Sequence, residues 1–217
     1  HRNTNDGVSV IQTAEGATNE VADMLKRMRE LAVQSSSDTL ANSERAYIQD
    51  EFAQLSDEVD RIANVTEFNG ISLANDSGST GTQLNVQVGI HDSTDDRITI
   101  SLGDLRATTL GVNDTTEGSS AKLSLETSAS AQAALTTIDA AIDKVNEYRS
   151  DYGAVQNRLE SALNNLETYT ENVAASESRI RDADFAFETA EMSKFQVMQQ
   201  AGTAILGQAN GLGQGAL

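Results

Sequence analysis

The sequence has 217 residues, of which 38 % are hydrophobic and 4 % aromatic, with a formal net charge of −18 and no cysteine, proline or tryptophan. The missing cysteine excludes disulfides, thiolate metal sites and a cysteine nucleophile. The negative charge argues against sequence-independent binding to nucleic acid, because phosphates require a basic surface. No apolar run approaches the ~18 residues of a membrane span, so we expect no membrane insertion.

Two amphipathic helices are predicted in the first 66 residues. The first runs from about Val8 to Gln34, and the second follows a small polar connection at 35–44 and ends near Asn64. Both repeat apolar residues at steps of three and four, which is typical of helices with one apolar seam. The seam positions are Ala14, Ala17, Val21, Met24, Met28 and Leu31 in the first helix and Ile48, Phe52, Leu55, Val59 and Ile62 in the second.

Three cations fall within four positions of the first helix, at Lys26, Arg27 and Arg29. With Met28 and Leu31 pointing into the bundle, Lys26 and Arg29 fall on the outer side and Arg27 flanks the seam. The cations could pair with acidic residues of the second helix, although exposed pairs of that kind stabilise by only ~0–1 kcal/mol. They could instead form a recognition surface, and composition alone does not choose between the two.

The region 67–130 changes period and predicts β-structure followed by a loop-like crossover. Asn69-Gly70 is a turn signal, and two stretches of alternating apolar residues predict a β-hairpin with one buried face. The segment 103–130 is rich in Thr, Ser and Gly and predicts the crossover. The alternating residues are Leu84, Val86, Val88 and Ile90, then Ile98, Ile100 and Leu102.

The turn of this hairpin holds the one cluster that could bind a cation. His91, Asp92, Asp95 and Asp96 supply hard ligands, but they lack the alternation, central Gly and closing Glu of an EF-hand loop. A solvated turn is the favoured interpretation. Because no other convergent polar cluster is evident, we predict no catalytic, metal or cofactor site.

A long helix is predicted from about Ser130 to Arg181, on the order of 75 Å at 1.5 Å per residue. Its seam must lie against the two N-terminal helices. The predicted fold is therefore mainly α, an elongated rod-like antiparallel helical bundle with a small β-hairpin region. The heptad positions are Ile138, Val145, Tyr152, Leu159, Leu166, Val173 and Ile180, with Ala141, Tyr148, Val155, Ala162 and Tyr169 three residues on.

A separate helix is predicted after the segment 181–185. Its apolar stripe has no evident partner within the chain, and such a stripe usually packs on another molecule or on a further segment. The stripe contains Phe187, Met192, Phe195, Met198, Ala201, Ile205 and Leu206.

Several long segments, in order along the chain, resemble bacterial flagellin. The N-terminal ones are NDGVSVIQTAEGATNEV, RMRELAVQS and DEVDRIANVTEFNGISL. The C-terminal ones are YGAVQNRLESALNNLE, ESRIRDADFAFETAEMSK and QQAGTAILGQAN. The resemblance spans nearly all of the chain except about residues 104–130, and the short crossover leaves no room for large variable outer domains.

The resemblance implies a domain organisation. Residues 1–66 match the N-terminal helices of the family's D1 domain, 67–130 its hairpin and crossover, and 131–181 its long C-terminal helix. Residues 182–217 match part of the C-terminal inner domain, D0. The family's N-terminal D0 helix, which partners that segment, is expected to lie outside this sequence.

The resemblance also implies a function. Flagellins are secreted and polymerise into the extracellular filament of the bacterial flagellum, so the implied role is a structural subunit and not an enzyme. A dedicated secretion chaperone is expected to shield the C-terminal helix, about 182–210, before assembly. The expected contacts to the chaperone or the filament core are Phe187, Met192, Phe195, Met198, Ile205 and Leu206.

A second partner implied by the resemblance is Toll-like receptor 5, which detects flagellins through the outer face of the D1 helices. By motif, Arg27, Leu31 and Glu51 match receptor-contacting positions, with Leu31 as an apolar anchor if it is partly exposed. The predicted receptor-binding residues are Lys26, Arg27, Arg29, Glu30, Leu31 and Glu51. The alternative, a coiled-coil scaffold or secretion-apparatus protein, explains the heptads but not the hairpin or the order of the motifs.

Overall fold

The computed structural model of the protein describes residues 1–75, 83–113 and 123–214. These residues form two compact units, His1–Asn164 and Asn165–Leu217. Long helices dominate, with small antiparallel strand pairs, so the predicted mainly α fold is confirmed. The elements are α1 (Arg2–Ser35), α2 (Asn42–Val65), β1 (Glu67–Phe68), β2 (Ile71–Ser72), β3 (Gln83–Gln87), β4 (Arg97–Ser101), α3 (Ala107–Leu110) and α4 (Ser128–Gln214).

Helix α1 begins six residues earlier than the apolar pattern indicates. Its first turns bury Thr4, Gly7 and Val10 on one face, which continues the seam toward the N-terminus with small side chains. A count of apolar residues misses such positions because Thr and Gly do not register as hydrophobic. A β-carbon at Gly7 would lie 3.1 Å from Cγ2 of Val86 and 3.3 Å from Cδ1 of Leu159, so the missing side chain allows close packing there.

Helices α1, α2 and the first part of α4 share one apolar core, as the heptads predict. Helix α1 runs antiparallel to α4: Ser128 Oγ, at the start of α4, donates to the Ser36 carbonyl at 2.8 Å. At the other end, Leu159 lies beside Gly7. The core joins buried seam residues of all three helices, including Val21, Leu25, Met28, Leu31, Phe52, Val59, Ile138 and Val145.

Two hairpins follow α2. Strands β1 and β2 are joined by Asn69 and Gly70, both with positive φ (52° and 77°), the conformation of the tight turn that the sequence predicts. In the longer hairpin, Val86 pairs with Ile98 and Leu84 with Ile100.

The prediction of a buried Ile90 in the longer hairpin is wrong, because its side chain is 77 % exposed. Strand β3 ends at Gln87, so Ile90 belongs to the turn, where the alternation of faces no longer holds. The buried face of the hairpin consists of Val86, Ile98 and Ile100. These side chains form one apolar cluster with Val10 and Ile11 of α1 and with Tyr152 and Leu159 of α4.

The predicted crossover contains the short helix α3, and its part at 114–122 lies outside the described residues. Two side chains of α2 accept hydrogen bonds from the backbone of the crossover, one before residues 114–122 and one after them. Asp60 Oδ1 accepts a hydrogen bond from the Ala107 backbone N–H at 2.7 Å. Gln49 Oε1 accepts one from the backbone N–H of the buried Leu125 at 2.6 Å.

Helix α4 is continuous from Ser128 to Gln214, so the predicted interruption at 181–185 is wrong. That segment holds neither proline nor glycine. Asp favours helix starts but costs only a few tenths of a kcal/mol, roughly, in a helix interior. Along the helix the seam is buried as far as Leu159, whereas Val173 and Ile180 of the same register are 46 % and 66 % exposed.

Candidate interaction surfaces

The basic stretch of α1 is tied to α2 through Arg27. Its Nη2 and Nε both donate to Glu51 Oε1, at 2.7 and 3.0 Å, and its Nη1 donates to Glu30 Oε2 at 3.0 Å. The arginine side chain is 50 % exposed. The structure therefore brings together three residues that the sequence predicts as one surface.

The electrostatics of this group follow from its hydrogen bonds. Bonding to Glu51, and then to Glu30, raises the pKa of the Arg27 guanidinium above its ordinary value. Because the group is open to water, the pairs fix the direction of the side chains more than they stabilise the fold.

The other two cations point away from α2. Arg29 Nε donates to Asp139 Oδ1 of α4 at 2.6 Å, which raises the pKa of Arg29. Lys26 Nζ donates to Asp23 Oδ1 of its own helix at 2.7 Å and lowers the pKa of that aspartate. Each cation therefore has an intramolecular partner, as the pairing alternative expects, but only Arg27 finds its partner on the second helix.

Leu31 does not lie on this surface. It is 1 % exposed and packs in the core with Met28 and Phe52. Its position three residues after Met28 places it on the buried seam, within the core that α1 shares with α2 and α4. The structure corrects the expectation of an apolar anchor at Leu31, which depends on partial exposure.

Tyr47 is an exposed aromatic residue that the sequence analysis does not single out. It lies one turn before Glu51 on α2 and is 75 % exposed. A signal for it exists in the sequence: Tyr47 directly precedes the seam residue Ile48 and therefore falls off the apolar face.

The connection between α1 and α2 is held by a buried arginine. Arg45 is 6 % exposed. Its Nε and Nη2 donate to the carbonyls of Ser35 and Ser37, at 2.9 and 2.7 Å, and its Nη1 donates to Asn42 Oδ1 at 3.0 Å. The guanidinium thus satisfies carbonyls at and just after the end of α1 and binds Asn42, the first residue of α2.

Two carboxylates in the turn of the longer hairpin bond to other groups of the same hairpin. Asp96 Oδ2 accepts a hydrogen bond from the His91 backbone N–H at 2.8 Å, and Asp92 pairs with Arg97. Across the described ranges, no three His, Asp or Glu side chains are grouped so that they could hold a metal ion. Nor does any described helix combine the length and hydropathy needed to cross a membrane.

The second unit carries a second candidate surface, which we call the C-terminal apolar stripe. Its side chains are the six that the sequence predicts as contacts, and each is between 50 % and 70 % exposed. They are Phe187, Met192, Phe195, Met198, Ile205 and Leu206. Exposed apolar side chains in this number mark a surface that another molecule or segment covers.

Both ends of the chain match models of one family. The bacterial flagellin N-terminal helical region matches residues 1–79, and the bacterial flagellin C-terminal helical region matches residues 135–217. These ranges contain both candidate surfaces.

Individual proteins agree with the family match. The chain is 42 % identical to a flagellin of Halalkalibacterium halodurans, over 96 % of this chain and 73 % of that protein. It is 39 % identical to the flagellar filament 33 kDa core protein of Treponema phagedenis, over 96 % and 74 %. The crystal structure of Bacillus cereus flagellin matches with a TM-score of 0.64 and 32 % identity, over 81 % of this chain and 94 % of that one.

Proposed function

The chain belongs to the bacterial flagellin family, and from this premise we propose that it is a structural subunit of an extracellular flagellar filament. The observation that carries the proposal is the C-terminal apolar stripe, whose six side chains are half or more exposed in the single chain. Identical subunits that meet through two different surfaces build an open helical polymer when the rotation between neighbours does not close into a ring. The stripe is the surface that assembly would bury. An unrelated coiled-coil scaffold does not account for family matches at both ends of the chain.

The filament role is tested in the cell that makes the protein. The gene is replaced by one carrying Phe187→Ser and Phe195→Ser, which removes two aromatic rings from the stripe without adding charge. We expect filaments to be short or absent in electron micrographs and swimming to be lost. Val65→Ser, at an exposed position of α2, is the matched control. Filaments of normal length in the double variant would refute the assignment of the stripe to assembly.

The same stripe would be covered by a secretion chaperone before assembly. An amphipathic helix laid in an apolar groove is a common mode of recognition, with contacts every three or four residues. Met192, Phe195 and Met198 follow one another at steps of three on α4. Deleting residues 182–217 should abolish co-purification with the chaperone, and unchanged binding would exclude this segment as its site.

We also propose that Toll-like receptor 5 recognises the exposed face of α1 and α2. Its candidate residues, all exposed, are Lys26, Arg27, Arg29, Glu30 and Glu51. Arg27, Glu30 and Glu51 are joined by hydrogen bonds across the two helices, whereas Arg29 bonds to α4. Arginine provides a planar, multi-donor head and is enriched at interface hot spots. The bonds from Arg27 to Glu51 and Glu30 support the proposal because they hold three side chains of two helices in one arrangement before binding.

Receptor recognition is tested with Arg27→Ala in reporter cells that express the receptor. We expect signalling to fall about tenfold or more, as for a hot-spot residue. Arg61→Ala is the matched control, since Arg61 is also exposed and also pairs within its helix, with Glu58. Equal signalling by the parent and Arg27→Ala would contradict the proposed surface, and silence of the folded parent would contradict recognition itself.

A further inference from the structure

The C-terminal apolar stripe carries the exposed sulfur of this chain. The sequence has no cysteine and no tryptophan, so its four methionines hold every sulfur atom of the protein. A peroxide oxidises a thioether more readily than the other side chains present, and susceptibility follows exposure. The positions of the four thioethers therefore decide where an oxidant acts.

The four methionines differ sharply in exposure. Met192 and Met198, both in the second unit, are 55 % and 50 % exposed. In the first unit, Met28 is fully buried and Met24 packs partly buried against the same apolar core. A buried thioether reacts only when the fold opens around it, whereas Met192 and Met198 meet the oxidant in the folded chain. Exposure therefore selects the two methionines of the stripe.

The two exposed methionines lie on either side of an aromatic residue of the stripe. Met192 is three residues before Phe195, and Met198 is three residues after it. Residues three apart are neighbours on a helix surface. Apolar area alone does not require methionine, because the same stripe also uses Ile205 and Leu206. A change of polarity at Met192 and Met198 therefore alters the stripe at both neighbours of Phe195.

Hydrogen peroxide converts a thioether to a sulfoxide. A lone pair of Sδ attacks one peroxide oxygen, so that an S–O bond forms and the O–O bond breaks. The attacked oxygen passes its proton to the departing hydroxide, which leaves as water. The sulfur is oxidised by two electrons and the peroxide is reduced by two. The apolar side chain becomes polar, and its new oxygen opposes burial unless it meets a hydrogen-bond donor.

We propose that Met192 and Met198 are oxidation sites of the unassembled chain, at which a peroxide makes the stripe polar and prevents its burial in the filament. Assembly in turn protects both thioethers, because the surface that covers the stripe excludes the oxidant. This inference rests on the proposed filament role, which assigns the stripe to assembly. The change is reversible, since methionine sulfoxide reductases restore the thioether.

The first test measures which methionines react. Filaments are sheared from the cells, half of them are depolymerised to subunits, and both samples receive hydrogen peroxide. Peptide mass spectrometry follows the sulfoxide at each methionine. In subunits, Met192 and Met198 should oxidise about tenfold or more faster than Met28, and in filaments their rates should fall by a similar factor. Equal rates at Met28 and at the stripe, or no protection in filaments, would overturn the inference.

The second test measures the assembly of oxidised subunits. The subunit concentration needed for filament growth should rise about tenfold or more after oxidation. Both epimer-specific reductases together should restore the parent value without any substitution. The double variant Met192→Leu/Met198→Leu nearly conserves volume and should assemble equally before and after peroxide treatment, whereas Met24→Leu, the matched control, should stay sensitive.

Failure of the oxidation switch and failure of the filament role give different results. If the cells bear no filament that contains this chain, the filament role fails, and the switch fails with it. If oxidised subunits grow filaments at the untreated concentration, the filament role stands and the methionines are not a switch. Inhibition that neither the reductases nor the double leucine variant relieves would assign the damage to other side chains.

Discussion

Arg27 and Leu31 are one helical turn apart on α1, but they have different physical roles. Arg27 is half exposed and joins α1 to α2 through Glu51. Leu31 is 1 % exposed and packs in the core that α1 shares with α2 and α4. One residue therefore shapes the surface and the other stabilises the fold, although both match the same family motif.

This difference gives a stability prediction. Leu31→Ala should lower the free energy of unfolding by about 2–5 kcal/mol, because it leaves a cavity in a close-packed core. Arg27→Ala should leave it nearly unchanged, since exposed ion pairs contribute little. Urea titration followed by circular dichroism measures both. If Leu31→Ala unfolds at the parent's urea concentration, Leu31 is not packed as described.

Arg45 is the second residue whose chemistry decides local structure. Its guanidinium is buried and, within the described residues, forms no ion pair with a carboxylate. It donates instead to carbonyls at and just after the end of α1 and to Asn42. Arg45→Met keeps the length of the side chain but removes every donor. We expect it to lower the free energy of unfolding by about 1–3 kcal/mol, because buried acceptors lose their partner.

A comparison of substitutions separates hydrogen bonding from charge at Arg45. Arg45→Lys should recover only part of the loss, since an ammonium group cannot reproduce the planar fork that spans two carbonyls. Arg61→Met, at an exposed arginine of the same helix, should have little effect. Full recovery by lysine in urea titrations would show that charge alone is sufficient.

At the scale of elements, Tyr152 connects α4 to the longer hairpin. It is 1 % exposed, and its hydroxyl oxygen accepts a hydrogen bond from the Gly103 backbone N–H at 3.0 Å, just after β4. Burial raises the pKa of the Tyr152 phenol above its ordinary value. Ionising the Tyr152 phenol would place a charge in the buried contact between α4 and the longer hairpin, so this contact favours the protonated phenol.

The raised pKa predicts how stability changes in alkali. Below the unfolded-state pKa of about 10, both states keep the proton and the full stability is present. As pH rises above that value, the unfolded chain releases the proton while the native state retains it, so stability falls up to the folded-state pKa. Tyr152→Phe should flatten this decline, although Tyr148, whose pKa is also raised, keeps part of it.

Urea titrations from pH 8 to 11 measure this effect. At pH 8 the phenylalanine variant should be less stable by about 0.5–1.5 kcal/mol, the net contribution of one hydrogen bond. Above pH 10 the difference should shrink. A parent and variant that lose stability in parallel would mean that Tyr152 ionises equally in both states.

At the scale of the whole molecule, charge is the dominant global property. Acidic residues outnumber basic ones by 33 to 15. Seven described lysine and arginine side chains pair with a carboxylate. The carboxylates in excess of the cations repel one another across the surface. The chain should therefore be destabilised by its own charge at low ionic strength.

Salt should raise the melting temperature. The screening length falls from about 30 Å at 0.01 M to about 8 Å at 0.15 M, which removes most repulsion between distant carboxylates while close pairs persist. Thermal melts followed by circular dichroism at the two concentrations should differ by a few degrees, with the higher value in salt. A lower melting temperature in salt would mean that the ion pairs outweigh the repulsion.

The sequence by itself determined the local structure and the buried faces. Recurrence at steps of three and four placed Val21, Met28 and Phe52 in the core, because the helical period fixes which side chains share a face. Asn69-Gly70 determined a tight turn, since few residues tolerate positive φ. Alternation identified Val86 and Ile98 as the buried pair of a hairpin.

Only the tertiary structure decided which side chains those faces meet. The period of α1 could not tell whether Leu31 is fully covered or where Arg27 finds its carboxylate. Nor could it show that the same apolar register on α4 is buried at Leu159 and exposed at Ile180. A repeat specifies the face that needs a partner, but burial and pairing depend on contacts between residues far apart in the chain.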